Sequence, residues 1–166
     1  MRKMVCAAAL ALTAGSAQAQ DEGAFVTFQA LKPEVALEAA VAAMEYCRGE
    51  GYQVGVAVVD RFGTMQAFVR DRFAGAHVEE TARRKAWTSV SFRTDTLALG
   101  ELTAPGTIFS GIRDLSEPLA LGGGVPIEAA GSLVAGIGVS GAPGPDLDDA
   151  CAREGIAAIE EQLMGF

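Results

Sequence analysis

The sequence is poor in residues that commonly carry catalysis or bind metals, and each shortage argues against a class of protein. His77 is the single histidine among 166 residues, and no C-x-x-C pair occurs, which argues against a structural zinc site. The absence of a C-x-x-C-H segment excludes covalent attachment of a c-type haem. No G-x-S-x-G segment is present, and one histidine offers little choice of base, so a serine hydrolase is not expected.

Positive charge is also scarce. Thirteen lysines and arginines stand against 21 aspartates and glutamates, which gives a net charge of −8. An acidic protein of this kind repels nucleic acid and anionic lipid. After residue 19, no apolar run approaches the ~20 residues that a membrane-spanning helix needs. The sequence therefore predicts neither a nucleic-acid partner nor a membrane span.

Residues 1–19 have the composition of a secretory signal peptide. A charged start and an apolar stretch precede a small-x-small cleavage site at residues 17–19. Cleavage there would leave residues 20–32 as an N-terminal arm and residues 33–166 as one domain. We therefore expect a secreted, periplasmic protein.

Two cysteines lie beyond this cleavage site, Cys47 and Cys151. Disulfides form and persist in oxidising compartments, so a single disulfide between these two cysteines is the natural expectation for an exported protein. The alternative is a pair of buried free thiols.

Residues 54–92 carry the strongest secondary-structure pattern. Residues 54–59 are apolar on both faces, as in a strand that is covered on both sides. A turn with a glycine follows at residues 60–63, and residues 64–70 alternate as a return strand. Residues 78–92 then repeat apolar residues at helical spacing. Together these features predict a β-β-α unit.

The rest of the chain predicts helices and short strands around this unit. Pro33 begins a helix with a narrow stripe of small apolar residues, and a last helix begins near Asp146. Extended pieces at residues 117–121 and 125–128 flank three glycines and lead to a strand at residues 132–140. This order predicts an α+β fold, in which helices flank a mostly antiparallel sheet and the first and last helices pack together.

Four segments resemble the GlcG/HbpS-type haem-binding family, which is related to the C-terminal domain of PduO-type proteins. They read VAVVDRFGTMQAFVRD at 56–71, RRKAWTSVSF at 83–92, LALGGGVPIEAAGSLVAGIGVSGA at 119–142 and DLDDACAREGI at 146–156. The resemblance implies a profilin-like fold, a homo-oligomer, and binding of haem or, in some members, a corrinoid. It favours a non-catalytic carrier, buffer or sensor of haem.

His77 is the candidate ligand for the haem iron. It stands at the start of the predicted helix, where the positive end of the dipole favours the neutral imidazole that binds metals. Without the resemblance, a single histidine at a helix start is more often a capping or surface residue. No residue is assigned a catalytic role, and the candidate haem-binding residues are His77, Arg70, Phe73, Lys85, Trp87 and Thr88.

Two other functions fit the same sequence. In an accessory protein or enzyme of small hydroxy-acid or alcohol oxidation, Arg70 and Lys85 would bind a carboxylate. His77 would then serve as acid or base, beside Asp60 and Thr88. In a structural module, the apolar surface would only build an oligomer. Lys85 also has a simpler interpretation, a helix residue whose stem packs on apolar neighbours while its ammonium reaches water.

The first prediction concerns export. We expect the periplasmic protein to begin at Gln20, because the small-x-small site ends at Ala19. Intact mass and N-terminal sequencing of periplasmic material measure this directly. Functional protein that retains Met1 would contradict the assignment.

Overall fold

The computed structural model describes residues 23–165, so the predicted signal peptide lies outside the described residues. Residues 23–32 form an arm without helix or strand. Phe28 of the arm meets Phe62 edge to face, with 5.0 Å between the ring centroids. Gln66 Nε2 donates a hydrogen bond of 3.1 Å to the Leu31 carbonyl. The arm therefore runs beside the first hairpin of the domain.

Four antiparallel strands form one sheet in the order β2-β1-β4-β3. The two central strands are buried almost throughout, which accounts for the apolar residues on both faces of β1. The strands are β1 (Gly55–Asp60), β2 (Met65–Arg70), β3 (Gly124–Ala129) and β4 (Ser132–Ser140).

Helices cover both faces of the sheet. α1 and α4 pack against each other on one face, and α2 lies on the opposite face. None of the helices within residues 23–165 has the length and apolar character to cross a bilayer. The helices are α1 (Pro33–Gly49), α2 (Val78–Phe92), α3 (Thr96–Leu102), α4 (Pro145–Ala157) and α5 (Glu160–Leu163), with a 3₁₀ turn at Ser110–Asp114. The α+β architecture predicted from the sequence is confirmed, including the pairing of the first and last long helices.

Small residues let α1 pack closely. Four alanines along one face of the helix are fully buried, and Cys47 ends the same stripe. Cys47 is bonded to Cys151 of α4, with 5.6 Å between the two Cα atoms. The predicted disulfide is confirmed, and it joins two helices through cysteines that are 104 residues apart in the chain.

Two glycines of β4 let α2 lie unusually close to the sheet. A methyl group at Gly138 would stand 2.6 Å from the Ala86 nitrogen. A methyl group at Gly136 would stand 2.7 Å from Ser89 Oγ. Side chains larger than hydrogen do not fit at these positions. The glycines of β4 therefore determine how closely α2 packs on the sheet.

The extended piece predicted at residues 117–121 does not join the sheet. Residues 117–121 are irregular and pair with no strand among the described residues. Side chains of α2 satisfy this backbone instead: Arg84 donates to the carbonyls of Glu117 and Pro118, and Leu119 donates its N–H to Thr88 Oγ1. Because these bonds come from side chains, the alternation of the sequence could not reveal them.

The last helix is shorter than the apolar spacing of Leu147, Cys151, Ile159 and Leu163 predicts. It ends at Ala157, and a hydrogen bond of 3.0 Å from the Ile159 N–H to the Ile156 carbonyl closes a tighter turn before α5. Ile159 and Leu163 nevertheless remain on the buried side, as the spacing predicts.

Replacing Cys47 and Cys151 together by serine should destabilise the fold. Chain-entropy theory gives roughly 4–5 kcal/mol for a closed loop of this size, as an upper figure. Urea unfolding of the oxidised wild type, the reduced wild type and the double variant measures the difference. Dithiothreitol should lower the midpoint of the wild type and leave that of the variant unchanged. Equal midpoints for all samples would contradict the prediction.

Candidate functional site

The loop between β2 and α2 is anchored by a buried aspartate. The Asp71 side chain is 1% exposed, and it accepts hydrogen bonds of 2.7 Å from Arg48 Nε and from the Arg72 N–H. The Asp71 N–H donates to the Val54 carbonyl at 2.9 Å. The bond from Arg48 holds the pKa of Asp71 below its ordinary value. The loop therefore begins at a fixed point beside the end of α1.

His77 ends this loop as the N-cap residue of α2, but its side chain makes no capping hydrogen bond. The imidazole is exposed and lies against Gly75. A methyl group at Gly75 would stand 2.6 Å from Nδ1 and Cε1, and 3.8 Å from Nε2. The ring thus turns its Nδ1 edge towards the loop and its Nε2 away from it. Nε2 is the ring nitrogen farther from Gly75, and on an exposed residue without a cap bond it can bind a metal.

Two of the other predicted residues share this surface. Phe73 is 80% exposed, and the Arg72 guanidinium lies 6.0 Å from its ring centroid. Arg70 ends β2 with an exposed side chain. The loop therefore presents an aromatic face, two arginines and one imidazole to solvent.

Lys85 lies elsewhere, in the interior. It is fully buried, and its ammonium donates to Asp148 Oδ2 at 2.7 Å and to the Val139 carbonyl at 2.9 Å. Asp148 Oδ1 in turn accepts the Ala142 N–H at 2.9 Å. Burial lowers the pKa of Lys85 and raises that of Asp148, and each partner's charge opposes the effect on the other. The ammonium does not reach water, so Lys85 differs from the snorkelling residue that the sequence allows.

Thr88 and Trp87 are also separate from the loop. Thr88 is buried, where it donates to the Arg84 carbonyl and accepts the Leu119 N–H. Trp87 is partly buried beneath the β1–β2 turn, where a methyl group at Gly63 would stand 2.8 Å from its Nε1. It is ten positions after His77, which is about 15 Å along a helix.

The six predicted residues thus fall into two groups. Arg70, Phe73 and His77 are exposed at the β2–α2 loop or at its two ends, whereas Lys85 and Thr88 lie in the interior and Trp87 packs against the β1–β2 turn. A carboxylate clasped between Lys85 and Arg70 does not fit this arrangement, because the Lys85 ammonium already has two internal acceptors. Asp60 accepts the N–H groups of its own turn.

Sequence reasoning missed the residues that hold the site in place. Arg48 and Asp71 are 23 positions apart, and nothing in either segment marks them as partners. Gly75 reads as an ordinary loop glycine, although it leaves the space in which the His77 ring lies. Asp148 reads as a residue suited to a helix start, while its main partner is Lys85. Within the described residues, no group of three or more histidine, cysteine or acidic side chains is arranged to hold a metal ion.

The sequence of this chain matches a known protein family. A model of the family described as "Haem degrading protein HbpS-like" matches residues 31–157. Corrinoid adenosyltransferase PduO from Salmonella typhimurium is 32% identical over 120 residues, which are 71% of this chain and 35% of that protein. The chain thus spans about a third of the length of the curated relatives that it matches.

Solved structures of proteins with HbpS or PduO names also match this chain. The crystal structure of HbpS is 40% identical with a TM-score of 0.77, over 82% of this chain and 94% of that chain. The crystal structure of a PduOC:haem complex is 31% identical with a TM-score of 0.74, over 78% of this chain and 95% of that chain.

Lys85→Met should be strongly destabilising, because it leaves the Asp148 carboxylate buried without its cation. Removal of one partner of a buried ion pair costs about 3–5 kcal/mol. Lys85→Met combined with Asp148→Leu should recover part of that loss, and urea unfolding of both variants measures it. Burial raises the pKa of Asp148 in the folded protein. The single variant should therefore regain stability relative to the double variant as pH falls through that raised pKa, because protonation removes the buried charge. A pH-independent deficit would contradict this explanation.

Proposed function

This chain belongs to the HbpS-like family, and on that basis we propose that it is a secreted haem-binding protein. The observation that carries the proposal is His77, an exposed residue at the end of an anchored loop whose side chain makes no cap bond. The relative solved as a PduOC:haem complex supports haem as the ligand.

The residues of the loop surface suit the chemistry of haem. His77 would bind the iron through a ring nitrogen, since imidazole is a common ligand of haem iron. Phe73 would cover the apolar porphyrin face, and Arg70 and Arg72 would pair with one of its carboxylates. Bound haem would supply a redox-active iron, and the protein would hold, orient and partly shield it.

We further propose that the protein is a carrier, buffer or sensor of haem without turnover. The disulfide supports an oxidising compartment such as the periplasm. Because the family description speaks of haem degradation, the holoprotein should be incubated with ascorbate in air. A stable Soret band supports a binding role, whereas progressive bleaching beyond that of free hemin would contradict it.

A corrinoid is the second tetrapyrrole to test, because the curated relatives are corrinoid adenosyltransferases. This chain covers only about a third of those proteins, so their transferase activity is not part of the proposal. Competition between hemin and cobalamin for the apoprotein would show which ligand the surface prefers.

We also propose that the protein is a homo-oligomer. Large apolar side chains stand open to solvent in the single chain: Ile108 is 91%, Phe25 89% and Val26 81% exposed. A purely structural module would use the same residues. Light scattering on the mature protein measures the subunit number, and a monomer would count against assembly as its role.

His77→Ala should shift the Soret band and weaken hemin binding, because the variant lacks the iron ligand. The fold should change little, by less than about 0.5 kcal/mol, since the exposed side chain makes no cap bond. Absorbance titration with hemin and thermal unfolding give the two measurements. Lys32→Ala is the matched control, because Lys32 is also an exposed helix N-cap residue without a side-chain cap bond.

A second variant tests the orientation of the ring. Gly75→Ala retains His77 but fills the space against which the imidazole lies, so it should also weaken hemin binding. Unchanged spectra and affinities in both variants would show that His77 is only a surface residue of the helix start.

A further inference from the structure

Two arginines line a cleft that lies apart from the His77 surface. The cleft has a volume of about 260 Å³ and lies beside the middle of α2. Its walls are Arg84 of α2, Arg113 of the 3₁₀ turn and residues 118–121 of the irregular segment described above.

Backbone carbonyls hold Arg84 in position. Its Nε and Nη2 donate to the carbonyls of Glu117 and Pro118, both at 3.0 Å. Its carboxylate neighbour is Glu80, at 3.3 Å, whose side chain is 69% exposed. An exposed pair of this kind is screened by water and contributes little. The Arg84 charge is therefore oriented but hardly neutralised.

Arg113 is held in the same way. Its Nε donates to the Thr103 carbonyl and its Nη2 to the Gly100 carbonyl, both at 2.7 Å. Within residues 23–165, no carboxylate lies within ion-pair distance of this guanidinium. A guanidinium has five N–H donors, so each arginine keeps donors for a ligand.

The nearest acidic residue of the segment, Glu117, is engaged elsewhere. Its carboxylate pairs with Arg83, and this hydrogen bond lowers the pKa of Glu117. The remaining walls carry proline, leucine and alanine side chains. In a protein of net charge −8, Arg84 has only the exposed Glu80 carboxylate as a partner and Arg113 has none within residues 23–165. Two preorganised guanidinium groups of this kind suit an anion.

We propose that the Arg84–Arg113 cleft binds a carboxylate group. The planar guanidinium matches a carboxylate through paired hydrogen bonds, and the apolar walls suit a short carbon chain. The volume admits one such group or a small organic acid, but not a whole tetrapyrrole.

Two kinds of ligand could supply this carboxylate. One is a propionate of haem: Arg84 follows His77 by seven positions, so the two lie on one face of α2, about 10 Å apart along its axis. In this form the inference rests on the proposed function. The other source is a free small acid, which would occupy the cleft whether or not haem binds.

The sharpest test places a carboxylate inside the cleft. Leu121 lines it and is 45% exposed, so Leu121→Glu should occupy both arginines without removing their anchoring bonds. Leu121→Gln is the control, because it has the same size without the charge. Carboxylate affinity should fall at least about tenfold in Leu121→Glu, as for loss of one charge-assisted hydrogen bond, and should stay near wild type in Leu121→Gln.

Three ligands separate the sources: hemin, hemin dimethyl ester and succinate. If the cleft binds a propionate, Leu121→Glu weakens hemin, while the ester binds weakly and equally to all variants. If it binds a free acid, calorimetry detects succinate in the wild type and loses it in Leu121→Glu, with hemin unchanged. Succinate binding without any hemin binding would refute the proposed function and leave this inference standing.

The opposite result overturns the inference. It is refuted if hemin affinity is the same in Leu121→Glu and Leu121→Gln and succinate binds to neither the wild type nor the control. Arg113→Gln, compared with Lys32→Gln at a distant exposed cation, gives a second measurement. Thermal unfolding of each variant verifies that the fold is retained.

Discussion

The close approach of α2 to the sheet is the constraint on which the rest of the molecule depends. Gly136 and Gly138 leave no side chain between β4 and the helix, so the helix backbone comes down onto the strand. At that distance the Lys85 side chain reaches past the strand carbonyl of Val139 to Asp148, in the first turn of α4. One buried ion pair thus links the helix on one face of the sheet to a helix on the other.

The opposite face is fixed by a different connection. The disulfide between Cys47 and Cys151 joins the end of α1 to α4, and Arg48, the next residue in α1, binds Asp71. The same end of α1 therefore secures both the core and the loop that carries His77. A ligand surface built in this way is exposed, yet its starting point is rigid, which limits the entropy lost when a ligand binds.

Charge is distributed unevenly over this acidic protein. Several of its carboxylates pair with arginines, as in the pairs of Arg83 with Glu117 and of Arg153 with Asp149. Arginines of the loop before α2 and of the Arg84–Arg113 cleft are neutralised less. Arg72 lies 3.9 Å from Asp71, which Arg48 also binds, and Arg84 has only the exposed Glu80. Among the described residues, the guanidinium of Arg113 bonds only to backbone carbonyls. Both places suit the carboxylates of a tetrapyrrole or of a small acid, so recognition depends on local geometry and not on net charge.

The sequence by itself determined the elements and their class. The spacing of apolar residues and the turn residues predict β1, β2, α2 and the α+β order, because these signals are local in the chain. The disulfide is predicted because only two cysteines remain after cleavage, so only one pairing is possible. Only the tertiary structure decided which candidates share a surface. It placed Lys85 inside and His77 outside, though both belong to one helical segment, because burial depends on contacts between residues far apart in the chain. Tertiary contacts likewise determine the pairing of Arg48 with Asp71. They also determine the bonds by which side chains of α2 bind the backbone of residues 117–121.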